Sequence, residues 1–294
     1  MTVNRMWQDF FGRGLVSTSA DFGTRGEPPT HPELLDWLAN ELIEQDWSMK
    51  SMHERIVTSA TYCQSSTVRP ELSAHDPSNK LLASQSSLRF TAEAVRDCTL
   101  AVSGLLVDKI GGQSVVPRQP EGEDMEKFGN DQWTESEGED RYRRAFYTST
   151  RRTAPFPQLE TFDAPTARDT CTRRERSNTP LQALTLLNDP VFFEAAQALA
   201  KRILREHHGN LDQRIEYGFR ICTSRLPAAS EKESLRASYQ RLHEILQQEP
   251  TSASKIVAIP NADMTSADMT SADMGAWVGL SSILLNLHEF ITRD

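Results

Sequence analysis

The sequence predicts a mainly α-helical fold, built from two packed helical blocks with a long irregular segment between them. Leucines recur at helical spacing, four residues apart, at Leu34, Leu38 and Leu42. Helix-start signals recur too, because Thr179-Pro180 and Asp189-Pro190 each join a capping side chain to a proline in the first turn. A small β element is compatible with residues 144–150.

The N-terminal helical block covers residues 1–110. Its first helix is expected to end at Gly12, because glycine readily adopts the left-handed conformation that follows many helices. Its last helix is expected to end at Gly111-Gly112. The helices predicted in this block are 4–11, one opening at Pro32, one capped by Ser48 and 88–107.

The central segment, 111–176, shows no helical period. It includes an acidic loop, 119–140, in which residues 121–140 contain nine acids and one lysine, a net charge of −8. Too few apolar residues lie there to offset the entropy of ordering, so we expect 121–140 to be mobile. Residues 141–176 contain nine arginines and four acids. We expect 145–176 to be ordered against the helices.

The C-terminal helical block covers residues 177–294, and we expect the whole chain to form one domain. A capping box of Ser230 and Glu233 is predicted to open one helix. A later helix places Trp277 on an apolar face with three leucines. Between these helices, residues 262–274 repeat the pentapeptide Thr-Ser-Ala-Asp-Met, which we read as a duplication in a loop without an assigned function.

Composition excludes a membrane span, because the mean hydropathy is −0.52 and no stretch approaches the roughly 20 apolar residues that a span requires. The N-terminus lacks a basic region followed by an apolar run, so no signal peptide is expected in this chain. The chain would then stay in the cytoplasm or be a fragment of a longer protein. An acidic net charge of −9 and the lack of a known motif argue against nucleic-acid binding.

The four cysteines lie far apart and form no C-x-x-C pair. This spacing excludes a zinc ribbon, a thioredoxin motif and a c-type haem attachment site. We expect free, mostly buried thiols, with long-range disulfides as the alternative. The cysteines are Cys63, Cys98, Cys171 and Cys222.

Several sequence blocks are more specific than composition. They include Asn4-Arg5-Met6-Trp7, Phe11-Gly12-Arg13-Gly14-Leu15-Val16, His31-Pro32-Glu33-Leu34-Leu35-Asp36-Trp37, Ala92-Glu93-Ala94-Val95-Arg96-Asp97, Thr161-Phe162-Asp163-Ala164-Pro165, Arg173-Arg174-Glu175-Arg176-Ser177-Asn178-Thr179-Pro180-Leu181-Gln182 and Leu187-Asn188-Asp189-Pro190. Together they resemble the planctomycete-specific domain of unknown function that forms the C-terminal domain of planctomycete cytochrome c-associated multidomain proteins. The chain departs from that pattern at Cys63, where arginine is expected, and at His288, where an acid is expected.

The resemblance implies a setting rather than a reaction. It implies a protein of the cell envelope or a periplasm-like compartment, with upstream cytochrome c-type and associated domains as partners. Haem is expected only in such an upstream domain, so we expect no cofactor in this chain.

The best candidate site is an arginine cluster that precedes a helix start. Arg173, Arg174 and Arg176 lie just before Asn178 and Thr179. Arginine forks and the free N–H groups of a helix N-terminus both favour anions, such as those of an acidic or sulfated glycan. The alternative, which the sequence favours, is that these arginines pair with Glu160, Asp163, Glu175 and the acids of 121–140 and fix a long loop.

Catalytic signals are weak. No hydrolase, phosphate-loop or dinucleotide motif is present, and the histidines show no metal-ligand spacing, so we expect no metal site. Glu160 and Asp163 are candidates for an acid–base pair in glycoside cleavage, although Asp163 before Ala164-Pro165 is also typical of a turn. The leading hypothesis is therefore a non-catalytic binding or scaffolding domain. The alternative is a polysaccharide-acting enzyme domain with an anionic-ligand site near 173–180.

Overall fold

The computed structural model of the chain describes residues 1–67, 69–120, 133–151, 155–166, 168–257 and 270–293. Thirteen α-helices and one two-stranded sheet lie in these ranges, which confirms a mainly α fold. Among the described helices, none has both the length and the apolar character needed to cross a bilayer.

The described chain forms two compact units. Unit 1 contains Met1–Arg89, Asp169–Arg176 and Thr292–Asp294, and unit 2 contains Phe90–Arg168 and Ser177–Ile291. The helical blocks expected from the sequence, 1–110 and 177–294, and the expected single domain stay predictions.

Unit 1 is a small helical unit closed by a two-stranded antiparallel sheet. Its core includes Trp7 and Phe11, whose rings stack with centroids 4.2 Å apart. In the sheet, Leu88 lies opposite Arg293 and Arg89 opposite Thr292. The elements are α1 (Thr2–Phe11), α2 (Pro32–Glu44), α3 (Met49–Val57), α4 (Pro70–His75), β1 (Leu88–Arg89) and β2 (Thr292–Arg293).

The turn after α1 explains one of the specific sequence blocks. Asn4 is buried and bonds Val16 twice: its Nδ2 donates to the Val16 carbonyl at 3.0 Å, and its Oδ1 accepts from the Val16 N–H at 2.8 Å. A side chain at Gly14 would collide with this amide, because an added Cβ would lie 2.6 Å from Asn4 Nδ2. Gly12 caps α1 with a left-handed φ of 73°.

Unit 2 is a larger helical assembly around α8 and α12. Trp277 and Leu280 of α12 and Leu199 and Ile203 of α8 are fully buried in its core. Its α-helices are α5 (Ala92–Ser103), α6 (Pro157–Thr161), α7 (Pro180–Asn188), α8 (Pro190–Glu206), α9 (Leu211–Thr223), α10 (Ala229–Gln248), α11 (Pro250–Val257), α12 (Ser271–Leu285) and α13 (His288–Ile291).

Most predicted helix starts are confirmed. The Thr179 hydroxyl accepts from the Gln182 N–H at 3.3 Å, and the Asp189 carboxylate accepts from the Val191 N–H at 2.9 Å. The predicted capping box of Ser230 and Glu233 is wrong: α10 begins at Ala229, and Glu231 accepts from the Ala228 N–H instead. The last pentapeptide copy is also no loop, because Thr270 caps α12. Residues 258–269, which hold the rest of the repeat, lie outside the described residues.

Two expectations for the middle of the chain are corrected. The helix predicted over 88–107 is shorter, because β1 precedes it and Gly104, with a left-handed φ of 78°, ends α5. The short strand considered for 144–150 is instead a 3-10 helix, Ala145–Tyr147, following another at Gly138–Tyr142. The β-type pairing described in this segment is an isolated bridge between Val115 and Thr148.

The acidic loop is described only in part. Residues 121–132, where mobility was expected, lie outside the described residues. In the remainder, the Trp133 ring stacks on Phe156 with centroids 5.5 Å apart, and its Nε1 donates to the Pro117 carbonyl at 2.8 Å. The described end of the loop is therefore held by tertiary contacts within unit 2.

Candidate anion-binding site

The five residues predicted to bind an anion belong to different units. Arg173, Arg174 and Arg176 lie in the segment Asp169–Arg176 of unit 1, whereas Asn178 and Thr179 lie in unit 2. Each group is therefore described with the residues of its own unit.

The three arginines line a pocket of unit 1 with a volume of about 130 Å³. One wall comes from α1 and its capping glycine, another from the start of β1, and a third from the segment that carries the arginines. Three arginines and two acids stand among the lining residues, so their net charge is +1. The lining residues are Gln8, Asp9, Gly12, Leu88, Arg173, Arg174, Glu175 and Arg176.

Arg176 has the least compensated charge of the pocket. Its side chain is half-buried, and its pKa is lowered, first by burial and then by the charge of Arg293, with smaller effects from Arg89 and Arg174. Asp9 alone opposes this shift. No residue of the described ranges accepts a hydrogen bond from its guanidinium. A half-buried cation among like charges is costly unless an anion joins it.

The neighbouring arginines are held in defined positions. Arg293 donates to the Phe10 carbonyl, and its guanidinium lies over the Tyr62 ring, 5.5 Å from the centroid. The Nε of Arg293 is buried without a partner among the described residues. Arg173 is exposed, and its Nε lies 3.9 Å from a Glu175 carboxylate oxygen. At that distance the pair is a weak, solvent-exposed contact.

Local chemistry explains the helix wall of the pocket. Gln8 is fixed because its Oε1 accepts from the Ser19 hydroxyl at 2.5 Å. Gly12 is required for two reasons: its φ of 73° disfavours side chains, and an added Cβ would lie 2.6 Å from Leu88 Cδ2. Glycine at position 12 therefore favours the close approach of α1 and β1 here.

Thr179 serves mainly its own helix. Besides the bond from the Gln182 N–H, the Thr179 N–H donates to Gln182 Oε1 at 3.2 Å, which completes a capping box. The N–H groups of Thr179 and Gln182 are therefore already paired within the helix start. Asn178 is exposed beside it.

Asp163, a candidate acid or base, is bound by its neighbours. Its carboxylate accepts from the Ser177 N–H at 2.8 Å, from the Ser177 hydroxyl and from Gln182 Nε2 at 3.3 Å. Its backbone adopts a left-handed φ of 61°. These contacts are those of a turn residue joined to the start of α7. Glu160, the other candidate, is exposed on α6.

The sequence does not distinguish the arginines of the pocket from a second group that stabilises the fold. The second group is Arg141, Arg143 and Arg144. Arg143 is buried, donates to the carbonyls of Lys109, Gly111 and Gln113, and lies 3.8 Å from the Tyr147 ring centroid. Arg141 pairs with Glu135 and Glu194 at 3.1 and 2.9 Å, and Arg144 pairs with Asp97 at 3.1 Å. Pairing with acids, which was proposed for Arg173, Arg174 and Arg176, is thus found at Arg141 and Arg144, whereas Arg143 binds backbone carbonyls.

The four cysteines and the possible metal ligands of the described ranges were considered as a further site. All four cysteines are free, but Cys63 and Cys171 are exposed and Cys98 and Cys222 half-buried, so the expectation of mostly buried thiols was wrong. Within the described part of the chain, no three side chains of the His, Cys, Asp and Glu types are grouped to hold a metal ion.

Comparison with known proteins gives one match. The profile of the family PSD1, described as "Protein of unknown function (DUF1553)", matches residues 1–239. No curated protein and no solved structure matches the chain.

Proposed function

Because the chain belongs to the PSD1 family of unknown function, we propose its role from the geometry of unit 1: a non-catalytic binding module that holds an anionic group in the arginine pocket. The observation that carries the proposal is Arg176, a half-buried guanidinium without a described hydrogen-bond partner and surrounded by three further arginines.

The chemistry and size of the pocket support a single oxyanion as the bound group. A guanidinium binds carboxylate, phosphate and sulfate through paired N–H donors. A volume of about 130 Å³ is smaller than the roughly 300–1,000 Å³ of sites that enclose a whole small molecule. We therefore propose that the pocket takes one charged group of a larger ligand, and that an acidic or sulfated glycan is the source of that group.

The cellular setting is a further part of the proposal. The resemblance of the sequence blocks supports a domain of an exported, haem-linked planctomycete protein, in the cell envelope or a periplasm-like compartment. Its partners would be upstream cytochrome c-type and associated domains, and the haem would belong to those domains rather than to this chain.

The enzymatic alternative has less support. A polysaccharide-acting site would combine Asp163 with residues 173–176, but the Asp163 carboxylate already accepts hydrogen bonds from Ser177 and Gln182. Glycoside cleavage also needs a second carboxyl roughly 5–10 Å away, with one of the two in a protonated state. Glu160, the candidate for this second carboxyl, is exposed on α6.

The proposal is tested by thermal unfolding with sulfate, phosphate, a sulfated oligosaccharide and an oligouronate. We expect the melting temperature of the wild type to rise with ligand concentration, as for any ligand that binds only the folded state. Replacing Arg176 with methionine should abolish the rise. The matched control is Arg205→Met, which removes the same charge at an exposed position of α8.

The comparison among ligands identifies the source of the anion. A larger effect of the sulfated oligosaccharide or the oligouronate than of free sulfate or phosphate supports a glycan. An equal rise in wild type and Arg176→Met would contradict the proposal, because the anion would then act elsewhere. An Arg176→Met protein that melts earlier than Arg205→Met would show that Arg176 is structural.

A further inference from the structure

A second cavity lies in unit 2, on the surface formed by α9, α10, α12 and α13. It is an open groove with a volume of about 470 Å³. This value is within the roughly 300–1,000 Å³ of small-molecule sites. Its floor is apolar and includes Phe219, Leu235 and Ile283. The groove shares no residue with the arginine pocket, so the two sites are tested independently.

The hydroxyls along the groove are oriented as acceptors. Ser234 donates its hydroxyl proton to the Ser230 carbonyl at 2.9 Å, and Ser238 donates its proton to the Ser234 carbonyl at 2.8 Å. A hydroxyl has one proton to donate and two lone pairs. Both oxygens therefore offer only lone pairs to a molecule in the groove.

The charged groups of the groove are also acceptors. Glu231 and Glu289 both line it, and both bind Arg225 in a bidentate manner at 2.6–2.8 Å. Arg225 is itself held over the Phe219 ring, 4.9 Å from the centroid. Two carboxylates and one guanidinium leave a net charge of −1 at this edge. Glu231 Oε2 also accepts from the Ala228 N–H at 2.6 Å, so among the described contacts one lone pair remains on Glu231 Oε1 and one on each Glu289 oxygen.

Four of the six polar lining residues therefore present acceptors to the groove, namely Glu231, Ser234, Ser238 and Glu289. The other two are Ser230 and His288. An apolar floor with an acceptor-rich, negatively charged edge complements a molecule with an apolar body and a positively charged donor group. We propose that this groove binds a small amphipathic cation, with its hydrocarbon or aromatic part against Leu235 and its ammonium group at the carboxylates.

Isothermal titration calorimetry on the full chain tests this with three probes of equal length: octylammonium, octan-1-ol and octanoate. The attraction between an ammonium group and one net negative charge, about 4 Å apart in a water-exposed setting, raises the binding affinity about fivefold. We expect octylammonium to bind at one site at least about fivefold more tightly than octan-1-ol, with octanoate weakest. Absence of octylammonium binding, or equal binding of all three probes, would overturn the proposal.

Two variants locate the binding. Ser234→Trp should fill the groove and abolish binding, whereas Ser254→Trp should not. Ser254 is the matched control, because it is exposed on α11 and its hydroxyl also bonds the carbonyl one turn back, at 2.9 Å. Glu289→Gln should keep the apolar contact but lower the preference for octylammonium over octan-1-ol to near unity. Retention of full octylammonium binding in Ser234→Trp, or of the full preference in Glu289→Gln, would place the cation elsewhere.

Discussion

Arg96, which is buried, and Arg176, which is half-buried, should respond in opposite directions to the same substitution. Burial is the largest cause that lowers the pKa of both Arg96 and Arg176, and for Arg96 it lowers the pKa to about 10. Their surroundings differ in sign, however. The nearby charges that raise the pKa of Arg96 are three acids, whereas Arg176 is mainly surrounded by arginines. We predict that Arg96→Met destabilises the protein and that Arg176→Met stabilises it.

The expected loss for Arg96→Met follows from its bonds. Arg96 is 1% exposed, and it donates to Gln158 Oε1 at 3.2 Å and to the Arg141 carbonyl at 2.9 Å. Methionine leaves both acceptors without a donor, at about 1–3 kcal/mol each. The apolar side chain recovers part of this loss. The net destabilisation should therefore be about 2–4 kcal/mol.

The expected gain for Arg176→Met is smaller. Replacing buried charges with apolar groups often stabilises proteins by about 1–4 kcal/mol. Arg176 is only half-buried, so solvent screening reduces this gain to about 0.5–1 kcal/mol. The substitution breaks no hydrogen bond to a described residue.

Urea denaturation, followed by circular dichroism and by tryptophan fluorescence, measures both changes. Arg205→Met provides the reference for the loss of one exposed positive charge. The reasoning is refuted if both variants shift the urea midpoint in the same direction. In the presence of saturating sulfate the order of wild type and Arg176→Met should reverse, because only the wild type gains the free energy of anion binding.

Two further substitutions test local features. Gly12 and Gly104 both cap helices, with left-handed φ values of 73° and 78°. They differ in surroundings: an added Cβ at Gly12 would lie 2.6 Å from Leu88, whereas one at Gly104 would have no neighbour closer than 3.8 Å. Gly12→Ala should therefore cost about 1 kcal/mol more than Gly104→Ala in chemical denaturation, and equal losses would contradict this. Arg225 lowers the folded-state pKa of Glu231 to about 2 from 4.5, so this pair stabilises the fold above pH 4.5 and loses that effect as the pH falls toward 2. In thermal unfolding between pH 5 and pH 2, Glu231→Gln should lose less stability than the wild type, and an unchanged acid profile would count against the pair.

Local chemistry made the helices predictable. Thr179-Pro180 and Asp189-Pro190 begin helices because a capping oxygen and a preset proline φ act within one turn, without help from distant residues. The same reasoning failed at Gly111-Gly112, because Gly104 had already ended α5 with a left-handed residue. It failed again at Ser230: α10 begins at Ala229 although Ala228 has no capping side chain, and Glu231 binds both the Ala228 N–H and Arg225 there.

The arginine pocket was predictable only in part. Arg173, Arg174 and Arg176 are adjacent in sequence, so their clustering was visible. Arg89 and Arg293 were not identified, because β1 and β2 come from distant parts of the chain and pair only in the folded unit. No local pattern in a two-residue strand predicts its partner.

The arginines of residues 141–176 show why charge in a sequence does not determine its role. Arg141, Arg143 and Arg144 have acceptors in fixed positions: Arg141 binds Glu194 of α8, Arg144 binds Asp97 of α5, and Arg143 binds backbone carbonyls of residues 109–113. Arg176 has the same charge, and acids such as Glu175 lie near it in the sequence. In the fold, however, the charged groups that act on it are mainly arginines. A guanidinium in that position lowers the stability of the free protein. Its presence there is explained if an anion supplies the missing charge, since natural proteins retain destabilising groups chiefly where binding or catalysis requires them.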